Sequence, residues 1–268
     1  MNKTIGILGC GWLGTSLGVS LLKDGYQVKG STTSTDKLDS LNQKGILAYP
    51  IHLNEGSVDG KIGEFLTDLD VLVINVPPNL RKDPSSDYIA KMQLLLENIK
   101  GFPIHHILFV SSTSVYGDVE GEITEDTVPQ PVTKSGKQLL KSERLFFNET
   151  QFSTTIIRFG GLIGEDRHPI TQLSGRTLTN GGELINLIHK NDCIHMIRTI
   201  LKNGYWNQLF NGVYPYHPTK AEYYTVEAKK RGVPPPNYTQ GTAKANKKKV
   251  IFRNFYVKKH LLTTSISS

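Results

Sequence analysis

Cysteine is nearly missing from this 268-residue sequence: Cys10 and Cys193 are the only two, far apart and without metal-ligand spacing. Such sparse, unpatterned cysteine fits a reducing cytoplasm. His105-His106 precedes an apolar run with no third ligand in view, so no metal site is expected. Long apolar runs are also missing. None approaches the roughly 20 residues that span a membrane, so no membrane association is expected. No basic region, apolar stretch and cleavage site stand before Thr4-Ile5-Gly6-Ile7-Leu8, so no signal peptide is expected. There is no internal repeat, and low complexity is confined to Lys247-Lys248-Lys249 and a Ser/Thr-rich end.

Charge of one sign is scarce only locally. The net charge is +7, but residues 217–268 carry eleven Lys or Arg against two acids, leaving the first 216 residues slightly acidic. These cations are not interleaved with stacking aromatics, which argues against nucleic acid. They suit a solvated basic surface, or a rim that favours an anionic small-molecule substrate or cofactor. Nothing in the pattern separates a monomer from a homodimer.

What is present is alternation. Short β-branched apolar runs predict strands at Thr4 to Leu8, Gln27 to Ser31, Ile46 to Leu53, Val71 to Val76, Ile107 to Ser112 and Thr154 to Phe159. Amphipathic stretches between them predict helices at Trp12 to Lys23, Lys37 to Gln43, Tyr88 to Ile99 and Lys137 to Phe147. Successive apolar residues such as Val71-Leu72-Val73-Ile74 are expected where a strand is buried on both faces. The expected fold is α/β: a Rossmann-type doubly wound parallel sheet built of right-handed βαβ units. After about residue 160 the rhythm breaks at Gly160-Gly161 and His168-Pro169. The expected division is a dinucleotide-binding domain over 1–165 and a smaller C-terminal substrate lobe over 166–268. The chain would return to the sheet near 185–214, where Phe210 to Tyr214 could add a strand.

Gly9-Cys10-Gly11-Trp12-Leu13-Gly14 follows the first strand and opens the first helix. Gly9 permits the tight turn, Gly11 lets a pyrophosphate reach the backbone, and Gly14 lets helix and sheet pack closely. The first-turn amides, with Trp12 and Leu13 at the helix start, then face the phosphates, aided by the helix dipole. The second strand runs Val28-Lys29-Gly30-Ser31-Thr32-Thr33-Ser34, with no acid at its tip to grip a ribose 2′-hydroxyl. Ser31, Thr32 and Thr33, with Lys29 or Lys37 nearby, suit a 2′-phosphate, so NADP is preferred over NAD. Ser31 to Ser34 could also simply cap the next helix. Val76 ends the fourth strand and Pro77-Pro78 follow it, where a βα loop would pass the nicotinamide diphosphate side or merely stop the chain.

The fifth strand ends in Ser111-Ser112-Thr113-Ser114-Val115-Tyr116-Gly117. Here the chain resembles the extended short-chain dehydrogenases/reductases, the NAD-dependent epimerase/dehydratase family, in which a Ser-Ser-x-x-Val-Tyr-Gly segment ends this strand. Arg158-Phe159-Gly160-Gly161-Leu162-Ile163-Gly164 and Asn186-Leu187-Ile188-His189-Lys190-Asn191-Asp192 resemble two later family segments, and the likeness runs from residue 4 to about 225. It implies that Ser112, with Thr113 as substitute, polarises the substrate oxygen. It also implies an NAD(P)-dependent oxidoreductase or epimerase acting on a nucleotide-sugar-like or carbonyl/alcohol substrate.

One family feature is absent. A Tyr-x-x-x-Lys pair normally supplies the acid/base and lowers its pKa. Anchored on Glu143, this chain has Ser135 at the tyrosine position and Leu139 at the lysine position, and no tyrosine lies between Tyr116 and Tyr205. The chain therefore resembles the family's atypical branch. Glu165-Asp166-Arg167-His168-Pro169 approximates that branch's Gly-Arg-His-Pro-like loop, implying that Arg167 and His168 stand near the substrate entrance. A non-catalytic NADP(H) sensor or scaffold is the alternative. Of the remaining residues, Tyr116 is expected to pack near the cofactor, Arg158 to be a structural charge partner, His189 a structural hydrogen bonder, and Asp192 a helix-start charge.

Overall fold

In the computed structural model, which describes residues 3–80, 82–239 and 246–267, the chain begins with β1 (Thr4–Leu8) and α1 (Trp12–Lys23). It continues through β2 (Gln27–Thr32), α2 (Leu38–Gln43), β3 (Leu47–Leu53), β4 (Val58–Gly60), α3 (Ile62–Leu66), β5 (Val71–Ile74), α4 (Tyr88–Ile99) and β6 (His106–Ser112). Then come β7 (Glu122–Ile123), α5 (Lys134–Phe147), β8 (Ser153–Phe159), β9 (Gly161–Ile163), α6 (Ile170–Leu173), β10 (Thr177–Leu178) and β11 (Leu187–His189). The chain ends through α7 (Lys190–Asn203), β12 (Leu209–Gly212), α8 (Lys220–Lys230), β13 (Asn237–Tyr238), β14 (Lys249–Val250) and α9 (Arg253–Val257).

The main sheet has eight strands in the order β12-β8-β6-β5-β1-β2-β3-β4. All neighbours pair in parallel except β3 with β4. The expected Rossmann-type doubly wound sheet is therefore present. Its central strands are covered on both sides, as β5 shows: Val71 and Val73 join one apolar cluster, Leu72 and Ile74 the other. Strand order reverses between β1 and β5, so their carboxyl ends part and leave a crevice.

Several boundaries differ from the pattern-based expectation, each for a local reason. Helix α5 begins three residues before Lys137 because Thr133 caps it, its hydroxyl accepting from the Gly136 N–H at 3.0 Å. The short antiparallel strand β4 and helix α3 were not expected. They fill the crossover between β3 and β5, where Phe65 and Leu66 are buried without helical periodicity long enough to read.

Beyond residue 160, β9 pairs with β11 and β10 with β13 in small separate ladders. Ile163, Ile170, Ile185, Leu187, Tyr223 and Tyr224 form a third apolar cluster beside them. Helix α7 packs on α1, and β12 joins the main sheet. The final stretch returns to the main body: β14 pairs with β7, and Phe252, Phe255 and Leu262 join the cluster that holds Leu13 and Leu17. Asp192, buried at the start of α7, ties this stretch down by accepting from the backbone N–H groups of Thr263 and Thr264 at 3.1 Å. No helix among the described residues is long and apolar enough to cross a membrane.

Candidate functional site

A cleft of about 720 Å³ opens at the carboxyl ends of β1, β2, β5 and β6, and the glycine turn forms its floor. Gly9 has φ +105°, a left-handed conformation that favours glycine, and a Cβ there would stand 2.7 Å from the Asn75 carbonyl. A Cβ on Gly14 would lie 2.2 Å from the Gly9 carbonyl, so Gly14 sits beneath the cleft as a packing position. Gly11 differs from both: nothing lies within 4 Å of the position its Cβ would take. Its backbone faces open space. No side chain caps α1, and its first turn carries no acid. The uncapped amides and the positive end of the helix dipole are therefore free for an anion, and these residues fit a dinucleotide pyrophosphate.

Trp12, Leu13, Val76 and Pro77 line the same cleft. So does Asn75, which the sequence reading missed; its Nδ2 donates to the Gly9 carbonyl at 3.0 Å and holds the turn. Its position as the first polar residue after an all-apolar strand was the available signal. Cys10 is buried within the turn, and burial pushes its thiol up to about 12, opposed only by a Ser31 backbone contact. The thiol is chemically quiet.

At the tip of β2, Ser31, Thr32 and Thr33 line the cleft. The Ser31 hydroxyl accepts from the Gly9 N–H at 2.9 Å, so it shapes the turn. Thr32 Oγ1 accepts from the Ser34 N–H at 3.1 Å. The two candidate lysines separate. Lys37 lines the cleft. Lys29 does not: its Nζ donates to the Glu64 and Thr67 carbonyls at 2.9 and 2.7 Å. The expectation that Lys29 faces a 2′-phosphate is thus corrected, because the orphan carbonyls at the end of α3 hold it on the far side.

Across the cleft, Ser112 ends β6 and accepts through Oγ from the Ser114 N–H at 3.1 Å. Its own proton is left free to donate toward the cleft. Thr113 is buried and lies outside the cleft wall. Leu139 does reach the wall, at the position where the family resemblance implies lysine. Tyr116 is fully buried; its hydroxyl donates to Asn211 Oδ1 at 2.8 Å, away from the cleft. The expectation that it packs near the cofactor is corrected: a phenol fully desolvated here needs a polar partner, and Asn211 supplies it. Arg158 pairs with Glu143 in a buried fork, Nε to Oε1 at 3.0 Å and Nη2 to Oε2 at 2.6 Å, and is a structural charge partner as expected. His189 caps α7 by accepting from the Asn191 N–H at 3.2 Å, a structural bond.

The loop after β9 divides its residues. Arg167 lines the cleft. His168 does not, which corrects its expected place at the substrate entrance. It is buried beside the third apolar cluster, 3.0 Å from the Tyr223 hydroxyl, and its Nδ1 accepts from the Ile170 N–H. Burial, helped by Arg231, holds its pKa down to about 4, although Glu227 at 3.8 Å pulls the other way. The folded state thus keeps this imidazole neutral while the unfolded chain protonates it near 6.5. Stability from this site is full above that value and declines as pH falls toward about 4. Urea melts at stepped pH should show this decline, and His168→Gln should flatten it.

No family model matches the chain. "Protein YeeZ" of Escherichia coli (strain K12) is 35% identical over 238 residues, which cover 88% of this chain and 86% of that protein. The chain belongs to the YeeZ family. Solved structures show what fold this YeeZ-family chain has. A UDP-glucuronic acid 4-epimerase from Bacillus cereus, in complex with UDP-glucuronic acid and NAD, superposes with TM-score 0.81 at 20% identity, covering 98% of this chain and 95% of that one. A short-chain dehydrogenase/reductase superfamily protein from Agrobacterium tumefaciens with bound NAD gives 0.79 at 15% identity, over 98% and 93%. The YeeZ-family chain shares the fold of these structures, the Rossmann-type parallel sheet that its strand alternation and glycine turn led us to expect.

Proposed function

We propose that this chain binds a nicotinamide dinucleotide, NADP in preference to NAD, and works on a carbonyl or alcohol carbon of a small anionic substrate of the nucleotide-sugar kind. One observation carries the reading: Gly11 opens onto a cleft at the reversal point of the sheet, with Ser112 on the facing wall. The first-turn amides of α1 would hold the pyrophosphate, and Lys37 would reach the 2′-phosphate. A nicotinamide bound there would supply hydride transfer to and from the substrate carbon. Ser112 does the chain's own part, donating a hydrogen bond from its free hydroxyl to the substrate oxygen and so stabilising the charge that develops there. Both solved structures named above hold NAD, which supports the class of cofactor.

A second reading, a sensor that binds NADP(H) without turning it over, is favoured by Leu139, an uncharged residue on the cleft wall where the resemblance implies the lysine that lowers the pKa of the acid/base. The purified chain incubated with NADP or NADPH and a panel of nucleotide sugars and small carbonyls decides between them. The enzyme reading expects cofactor-dependent turnover with at least one substrate. Absence of turnover together with unequal calorimetric affinities for NADP and NADPH would establish the sensor instead.

The cofactor preference has its own test. Lys37→Ala should weaken NADP binding by about tenfold or more, since hydrogen bonds to charged groups contribute ~1.5–3 kcal/mol, and leave NAD binding unchanged. Parallel calorimetric titrations with both cofactors measure it. Equal loss for both would remove Lys37 from the 2′-phosphate.

A further inference from the structure

The turn after β9 is fastened to the phosphate cradle. Gly164 and Arg167 close it with reciprocal backbone bonds, Gly164 N–H to the Arg167 carbonyl at 2.8 Å and Arg167 N–H to the Gly164 carbonyl at 3.1 Å. The indole of Trp12, the first residue of α1, lies against this turn so closely that a Cβ on Gly164 would stand 2.7 Å from its ring. Trp12 Nε1 donates to Asp166 Oδ1 at 2.8 Å. Two cations rest on the same indole: the Arg167 guanidinium 5.0 Å from its centroid and Lys190 Nζ at 4.8 Å. On the other side of the turn, buried His168 roots the loop in the apolar lobe.

The two cations are not equivalent. Asp166 stands 3.6 Å from Lys190 and offsets its charge. Among the described residues no carboxylate pairs with Arg167, which is exposed and lines the cleft shared with Gly9 and Gly11. A guanidinium stacked on an indole keeps its N–H edge free, in the planar fork that matches two phosphate oxygens. The turn therefore holds one uncompensated, bidentate positive charge at the uncapped end of α1.

We propose that Arg167 is a diphosphate clamp, with Trp12 as its stacking platform and Asp166 as the latch that keeps the turn in place. It closes on a diphosphate ester bound in the cleft that the amides of α1 border. The proposal rests on the anion-cradle reading of the preceding subsection and extends it to a residue of the second lobe. The diphosphate could belong to the dinucleotide or to a nucleoside-diphosphate substrate, and the chemistry of recognition is the same.

The test is a calorimetric titration of wild type, Arg167→Ala and Arg167→Lys with NADPH and, separately, with UDP. Because Arg167 is exposed, both variants should fold, which circular dichroism checks. Arg167→Ala should weaken binding of one of the two ligands about 10- to 100-fold, and Arg167→Lys should restore little of it, because an ammonium lacks the fork. Loss with NADPH assigns the clamp to the cofactor, and loss with UDP alone assigns it to the substrate. Unchanged affinities for both ligands would overturn the clamp while leaving the cradle intact. Folded wild type that binds neither ligand would overturn the clamp and the cradle reading together.

Discussion

Gly11→Asp should abolish NADP(H) binding, by a factor of about 100 or more, in a protein that remains fully folded. The expectation follows from what surrounds the position. Nothing lies within 4 Å of its Cβ, so the new side chain meets open cleft. Position 11 is also the N-cap of α1, which has no side-chain cap of its own. Aspartate is among the preferred N-caps, so it should accept from first-turn amides and contribute roughly 0.5–2 kcal/mol to the helix. The amides that would bind a phosphate are then occupied by a carboxylate of the same sign. Stability should hold or rise while binding disappears. Thermal melts and NADPH titration of one sample measure both. Gly14→Asp is the contrasting variant: its Cβ would press on the Gly9 carbonyl at 2.2 Å, so it should lose fold and binding together.

Glu143→Ala should cost about 3–5 kcal/mol of unfolding free energy, the range for stranding one partner of a buried ion pair. The side chains of Arg158 and Glu143 are 5% and 2% exposed. The Ser111 hydroxyl adds a 2.6 Å bond to Glu143 Oε1, and the Arg158 guanidinium lies 4.9 Å from the Tyr116 ring centroid. Removing the carboxylate leaves a cation in an apolar interior, with one guanidinium nitrogen, Nη1, already without a partner. Chemical denaturation gives the value. The double variant Glu143→Leu with Arg158→Met, which removes both charges, should recover much of the loss. A cost below about 1 kcal/mol for Glu143→Ala would mean that the pair does not hold α5 against β8.

The pair also shows where reading the sequence stops. Glycine spacing, strand alternation and the serine segment are local signals, and each placed residues at the cleft: Gly9, Gly11, Ser31, Val76 and Ser112 line it, whereas Thr113 does not. What escaped depends on contacts between distant residues. Lys29 and Lys37 are equal candidates by proximity to β2, and only the carbonyls of residues 64 and 67 decide which one turns away. Asp192 reads as a helix-start charge. It stands there, but it also anchors Thr263 and Thr264, which are 71 and 72 residues away. His168 and Arg167 are adjacent in sequence, yet one is buried against Tyr223 and the other lines the cleft. Arg167 closes the Gly164–Arg167 turn and His168 leaves it, and no periodicity announces which side chain goes where.

Arg167 also ties the two halves of the chain into one electrostatic argument. The cradle offers amides and a dipole from the first fourteen residues, and Arg167 adds a cation to the same cleft. Binding should therefore weaken with salt, because the Arg167 charge is exposed.

Calorimetric titration of the folded wild-type chain with NADPH, beside Gly11→Asp, tests the cradle most directly. The predicted result is saturable one-to-one binding in the micromolar range that the variant lacks. Absence of saturable binding to the folded chain, or equal binding by the variant, would contradict it.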